Sequence, residues 1–243
     1  HLIAGNSTQE GYREGVGAEA RFDLITGFAQ ISEELVVVAD VNNHCMRLID
    51  RITNNTSAFS GQCGSYGDKG GRPGRLFFPR HVVMDKRDKN QLLITDSGNK
   101  AVRTVDVESQ AVGTFSQSAS LSRIRGITQE EKSGDLYVTA QNALYKITYI
   151  QKTLSLISGS PSTDSYRDST LLNSLFDYPM HVIVIKPGTL LVADYDNNKL
   201  RLLDMKADKV TTLHVTNSLS LPSSLLLTNN SLYVGQLRKI THC

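Results

Sequence analysis

Three segments of the chain align without a gap: VVADVNNHCMRLID (37–50), LITDSGNKAVRTVD (93–106) and LVADYDNNKLRLLD (191–204). Each runs from an apolar stretch into an Asp (Asp40, Asp96, Asp194). An Asn follows three positions on (Asn43, Asn99, Asn197), an Arg seven positions after the Asp (Arg47, Arg103, Arg201), and then a closing Asp (Asp50, Asp106, Asp204). Four matched columns in three copies restrict the chain to a fold built from a repeated supersecondary unit. A second motif precedes each copy: GYREGVGAEARF (11–22), SYGDKGGRPGRL (65–76) and SYRDSTLLNSLF (165–176) each place an apolar residue ten positions after a Tyr. Weaker copies occupy 124–147 and 221–240. With Ala140 and Gln236 in the Asp column, successive separations are 56, 44, 54 and 42 residues. Five units averaging about 49 residues match the roughly 40–50 expected of a four-stranded propeller blade.

The first copy reads as strands near 27–31, 35–40, 45–50 and 56–61, separated by SEE, VNN and RITNN. LVVVAD (35–40) is apolar at consecutive positions, the pattern of a strand buried on both faces, and helical periodicity is not sustained anywhere. The prediction is all-β: a five-bladed β-propeller of four-stranded blades, one domain over 1–243, with blades at about 6–61, 62–117, 118–160, 161–215, and 216–243 joined by 1–5. The last copy stops at KITHC after its third strand, while HLIAG (1–5) resembles the fourth strands SAFSG (57–61) and SLISG (155–159). The N-terminal strand is therefore expected to complete the C-terminal blade and leave no open sheet edge.

Hydrophobic residues at 40% and charged residues at 21% describe a chain with a packed core. A formal net charge of +2 does not call for a polyanion, so no nucleic-acid partner is expected. No apolar run approaches the roughly 18–20 residues that span a bilayer, so no membrane insertion of this segment is expected. HLIAGNSTQEGY lacks a signal-peptide apolar region and opens on His, which reads as a processed or excised part of a longer parent chain.

The columns D-x-x-N and R, preceded by Tyr-x-(Asp/Glu) and a segment ending in Arg-Phe or its like, resemble NHL repeats. The resemblance covers nearly the whole chain, closely in the first, second and fourth copies. It implies a propeller fold; members of the family usually carry six blades, so five departs from their pattern. It implies no single function, because the family includes RNA-binding translational regulators, extracellular sensor domains and the peptidylglycine amidating lyase.

Asp40, Asn43 and Arg47 recur and so read as blade architecture: a carboxylate for turn amides, an amide side chain that tolerates a left-handed backbone, and a guanidinium pairing across the blade. His44 stands where other copies have Lys100 and Asn198, and reads as a surface residue. Hairpin pairing about RITNNT, with residue numbers summing to roughly 107, sets Cys45 opposite position 62 and predicts a Cys45–Cys63 disulfide. That bond implies an oxidising compartment. The sequons at Asn6, Asn54, Asn55 and Asn229 fall in turns and agree with an extracellular or cell-surface glycoprotein. Cys243 has no evident partner.

Function is expected where the loops carrying Tyr12, Tyr66 and Tyr166 join the Asp-x-x-Asn turns at the start of each first strand. One column there reads Thr26, Arg80, Arg125, Met180, Ser223, and the next Gly27, His81, Gly126, His181, Ser224. Arg80 and Arg125 offer a modest basic entrance for an acidic ligand, and His81 and His181 replace the small residue the column otherwise favours. The resemblance to amidating lyases raises zinc at channel histidines, but a catalytic zinc needs three protein ligands and that column supplies no third. No metal and no cofactor are expected. The leading expectation is a non-catalytic receptor or adhesion module that binds a protein or glycan. An amidating-lyase-like metal enzyme and an RNA-binding NHL domain are the alternatives.

Overall fold

A computed structural model describes residues 3–215, 218–228 and 231–236, with the backbone of 239–242. The chain divides into two compact units, His1–Ile124 and Arg125–Cys243. The first contains β1 (Gly15–Val16), β2 (Ile25–Gln30), β3 (Leu35–Asp40), β4 (Cys45–Asp50) and β5 (Asn55–Ser60) in one antiparallel sheet of order β1-β5-β4-β3-β2. Its second sheet is β6 (Pro79–Met84), β7 (Gln91–Asp96), β8 (Ala101–Asp106) and β9 (Val112–Gln117), in sequence order. The predicted strand positions hold to within two residues.

The second unit has three sheets. They are β10 (Ile124–Gln129) to β13 (Leu154–Gly159), with β11 (Leu136–Ala140) and β12 (Ala143–Ile147) between; β14 (Pro179–Lys186), β15 (Thr189–Asp194), β16 (Lys199–Asp204) and β17 (Lys209–Leu213); and β18 (Pro222–Leu227), β19 (Leu232–Gln236) and β20 (Lys239–His242). The last sheet has three strands among the described residues. Residues 3–5 form no strand, and the Gly5 amide bonds the Gly17 carbonyl at 3.0 Å. His1 and Leu2, the rest of the expected closing strand, lie outside the described residues, as do Asn229 and Cys243.

Within each unit, sheets pack face on face. Ala29, Val37, Ala39 and Met46 on one face of the first sheet meet Val82, Leu92, Ile94 and Val105 of the second. Tyr137 and Leu144 meet Val182, Leu190, Val192 and Leu203, and Leu191, Ala193 and Leu200 meet Leu225 and Val234. The β14–β17 sheet is thus covered on both faces within its own unit, which explains the consecutive apolar residues of its second strand.

The turns repeat as strictly as the strands. The residue before each first strand, Leu24, Phe78, Arg123, Tyr178 or Leu221, has a left-handed backbone with φ from 50° to 64°. Such conformations are costly outside glycine and persist where surroundings fix them. At three of these positions a side chain from a hairpin turn accepts the amide: His44 Nδ1 takes that of Phe78 at 3.3 Å, Asn142 Oδ1 that of Tyr178 at 3.1 Å, and Asn198 Oδ1 that of Leu221 at 2.7 Å.

Candidate binding face

The Asp-Asn-Arg columns form a hydrogen-bond network that closes in full in the first and fourth sheets; in the second, Asp96 accepts Asn99 Nδ2 at 2.7 Å, while Arg103 donates to Asp68 and to the Gly113 carbonyl. In the first sheet Asp40 accepts the Asp23 amide at 2.8 Å, Asn43 Nδ2 at 2.9 Å and Arg47 Nη1 at 2.9 Å, while Arg47 also donates to the carbonyls of Arg13 and Arg21. The fourth sheet reproduces this with Asp177, Asp194, Asn197 and Arg201, and with the carbonyls of Arg167 and Leu175. Each Asn reaches the loop beside the Tyr: Asn43 bonds Gly11 O, Asn99 bonds Gly67 O, and Asn197 bonds Ser165 O. The buried Asp and Arg thus tie each Tyr loop to the turn end of its own sheet. Burial pushes the carboxyls of Asp96 and Asp194 up to about 6, against the hydrogen bonds they accept.

The loops differ where their own chemistry differs. Arg47 lies 4.6 Å from the Tyr12 ring centroid and 5.0 Å from that of Phe22, and Arg201 lies 4.8 Å from Tyr166 and 4.9 Å from Phe176. In the fourth sheet Asp168 accepts Arg201 Nε at 3.1 Å and the Thr212 amide at 2.9 Å. The first sheet has Glu14 at that place. It keeps the equivalent amide, Ala58 at 2.9 Å, and turns its carboxylate to the Tyr12 hydroxyl at 2.7 Å. Arg47 Nε is left buried without a hydrogen-bond partner among the described residues.

The second copy departs furthest. Phe77 replaces the Asp23 and Asp177 of the other copies while its amide still bonds Asp96 at 2.7 Å. Tyr66 stacks on Phe77 and Phe77 on Phe78, each pair at 4.7 Å between ring centroids. His44 sets its edge against all three at 5.5, 5.5 and 4.6 Å. Tyr66 remains 62% exposed at the outer end of this stack. His44 is therefore not the plain surface residue its position suggested: it is half-buried, its Nδ1 holds the Phe78 amide, and burial lowers its pKa. The predicted Cys45–Cys63 disulfide is present, with Cα atoms 4.9 Å apart. The hairpin is tighter than expected, since Arg47 pairs Ala58 and a bulge precedes Met46–Ser60, so Cys63 is reached just beyond the strand. Disulfide and Gly64–Asn43 backbone bond (2.9 Å) pin the Tyr66 loop to the turn that bears His44.

Gly27 and Gly126 explain the small-residue column. A β-carbon on Gly27 would stand 2.7 Å from Arg80 O and His81 Cα, and one on Gly126 would stand 2.8 Å from Met180 O and His181 Cα. Small residues here admit the next sheet's first strand. His81 belongs to the first unit and His181 to the second. The His81 amide bonds Thr95 Oγ1 at 2.9 Å, and burial pushes the imidazole down to about 4. His181 Nδ1 accepts the Leu225 amide at 2.9 Å. Arg125 is buried, donates to Gln141 O at 2.9 Å and lies 3.3 Å from the Tyr178 ring centroid, whereas Arg80 is half-buried and its carbonyl accepts the Thr26 hydroxyl at 2.6 Å. Among the described residues no group of three or more His, Cys, Asp or Glu is placed to hold a metal. Asn6 is exposed, with Thr8 N and Oγ1 both bonding its Oδ1 at 3.0 and 2.9 Å; Asn55 is exposed and Asn54 half-buried with φ 58°. No described helix is long and apolar enough to cross a membrane.

No protein-family model matches the chain. Protein SUPPRESSOR OF QUENCHING 1, chloroplastic, of Arabidopsis thaliana is 24% identical over 270 residues; the alignment covers 93% of this chain and a quarter (25%) of that protein's length. Among solved structures, a nidogen/laminin complex matches 90% of this chain and 74% of its own, at 14% identity and TM-score 0.65. A streptogramin B lyase matches 91% and 71%, at 13% identity and TM-score 0.62. These neighbours are β-propellers, and the likeness is one of fold. One is an enzyme by name and the other part of a protein complex, so the fold does not choose between catalysis and binding.

Proposed function

We propose that this chain is an NHL-type propeller module that works outside the cell and binds a protein partner without catalysis, through the loop face at the turn ends of its sheets. The aromatic stack carries this reading. Tyr66 offers an exposed ring face whose position is fixed by Phe77, Phe78, His44 and the adjacent disulfide. Rigid, partly exposed aromatics make interface anchors because they bring large contact area with few torsions to immobilise. The disulfide supports an oxidising compartment.

The test is binding of the secreted chain to a panel of immobilised extracellular-matrix proteins, laminin included. Saturable binding that weakens at least tenfold in Tyr66→Ala, while Tyr12→Ala and Tyr166→Ala stay within threefold, is expected. Binding indifferent to Tyr66, or stoichiometric zinc lost on His81→Ala, would count against it and favour the lyase-like alternative.

A further inference from the structure

The last strands of the first four sheets share one register. Thr56, Val112, Leu154 and Val210 stand opposite Ile49, Val105, Ile147 and Leu203, and Ala58, Thr114, Leu156 and Thr212 stand opposite Arg47, Arg103, Tyr145 and Arg201. In the first, second and fourth sheets the sheet's own Tyr loop runs along the far side of that strand. Gly15 pairs with Thr56, Gly71 and Val112 exchange backbone bonds of 2.7 and 3.0 Å, and the Val210 amide bonds Ser169 O at 2.8 Å. Two residues further along the strand, the carboxylates of Glu14 and Asp168 accept the amides of Ala58 and Thr212, each at 2.9 Å. The third sheet has no such loop, because only 118–123 separate β9 from β10, against 61–78 and 160–178 ahead of the second and fourth sheets. Tyr145 stands in the column of Arg47 and Arg201, which donate to the carbonyls of Arg13 and Arg167 in their loops. Among the described residues nothing bonds the outward backbone groups of Leu154 and Leu156, and Leu156 is 40% exposed.

An open strand edge is a template for another strand, and main-chain bonds along it supply affinity for an extended peptide. The chain's own loops identify the peptide that fits. We infer that the outer edge of β13 receives an extended acidic segment of a partner protein, laid antiparallel to it as β1 is to β5. An Asp or Glu of that segment takes the Leu156 amide, as Glu14 takes that of Ala58 and Asp168 that of Thr212. The residue after it bonds Leu154, as Gly15 pairs with Thr56 and Ser169 bonds Val210. A carboxylate suits an outward amide because the charge-assisted bond is stronger than a neutral one. Leu156, where the other copies have Ala58, Thr114 and Thr212, adds an apolar contact that they lack. This edge belongs to one sheet of the second unit and does not involve Tyr66, so the inference stands or falls apart from the loop-face reading.

Amide hydrogen exchange read by NMR tests it without substituting the protein, with a synthetic peptide of the first Tyr loop, GYREGVG (residues 11–17), as the probe. In the monomeric chain the Leu154 and Leu156 amides are expected to exchange at least tenfold faster than those of Val210 and Thr212, which their loop covers. Equal protection overturns the inference, since the chain then covers this edge itself. The peptide at millimolar concentration should shift the Leu154 and Leu156 resonances saturably and slow their exchange at least threefold, leaving Thr212 unchanged. A peptide carrying Glu14→Gln should bind at least fivefold more weakly, and one N-methylated at Gly15 should not bind. No saturable shift at β13, or equal binding of the Gln peptide, overturns the inference. Protection that develops with protein concentration and accompanies a dimer mass overturns it in favour of a second copy.

Discussion

Replacing Glu14 by Asp should stabilise the protein, and the reason lies in a comparison between two of its own sheets. Asp168 holds Arg201 Nε at 3.1 Å, Arg201 Nη2 at 2.7 Å and the Thr212 amide at 2.9 Å. Glu14, one methylene longer, holds the corresponding Ala58 amide but passes by Arg47, whose Nε is buried and unbonded among the described residues. An unsatisfied buried donor costs about 1–3 kcal/mol, and a hydrogen bond to a charged group returns about as much. Against this stands the exposed Tyr12–Glu14 bond, worth about 0.5–1.5 kcal/mol, part of which an Asp retains as Tyr166 does with Asp168 at 3.3 Å. The net expectation for Glu14→Asp is a gain of about 1–2 kcal/mol, read as a higher urea midpoint at unchanged slope. The reciprocal Asp168→Glu should lose a similar amount. A Glu14→Asp midpoint at or below the parent's, together with a neutral Asp168→Glu, would refute the idea that carboxylate reach sets this difference.

Other perturbations have equally definite signs. Asp96 and Asp194, raised to about 6, favour the fold more as pH falls through 6, because the folded chain holds protons that the unfolded one has released down to about 4. His81, held down at about 4, works the other way, and its contribution is lost as pH falls from 6.5 toward 4. Asp96→Asn should therefore make stability drop more steeply between pH 7 and 5 than in the parent, as followed by urea midpoints. Gly126→Ala should cost about 1–3 kcal/mol or more by overpacking, since its β-carbon would meet backbone atoms at 2.8 Å that have no rotamer to adjust. Opening the disulfide with Cys63→Ser removes a cross-link of sequence separation 18 and should cost about 3 kcal/mol by loop entropy, measurable as a lower midpoint without reductant.

The sequence conveyed what recurs and hid what each copy does alone. Asp40, Asn43 and Arg47 were legible as architecture because three copies carry them, and the structure shows why: in the first and fourth sheets they close one network around the Tyr loop. The short β1 was not legible, since Gly15 and Val16 have no strand pattern although they pair with Thr56 and Asn55. His44 looked incidental because its role depends on Phe78 having a left-handed backbone, which residue identity does not announce. Arg125 read as an accessible cation, yet it is packed against Tyr178, 53 residues away in sequence and brought there only by the fold. The alternation Gly27, His81, Gly126, His181 was visible as a column. Its meaning as a close approach of first strands needed coordinates.

The Cys45–Cys63 bond also has a mechanical meaning. It joins the first residue of β4 to the connection that leads into the second sheet, and so encloses the whole β4–β5 hairpin. Tension applied to the two ends of the chain passes across the sulfurs and bypasses both strands of that hairpin. About 60 Å of contour length, reckoned from 18 residues at full extension, is withheld from any stretched state until the bond is reduced. A domain anchored between neighbours in a tissue would then lengthen in two distinct steps, and the chemical reducing power of its surroundings, rather than force alone, would govern access to the second.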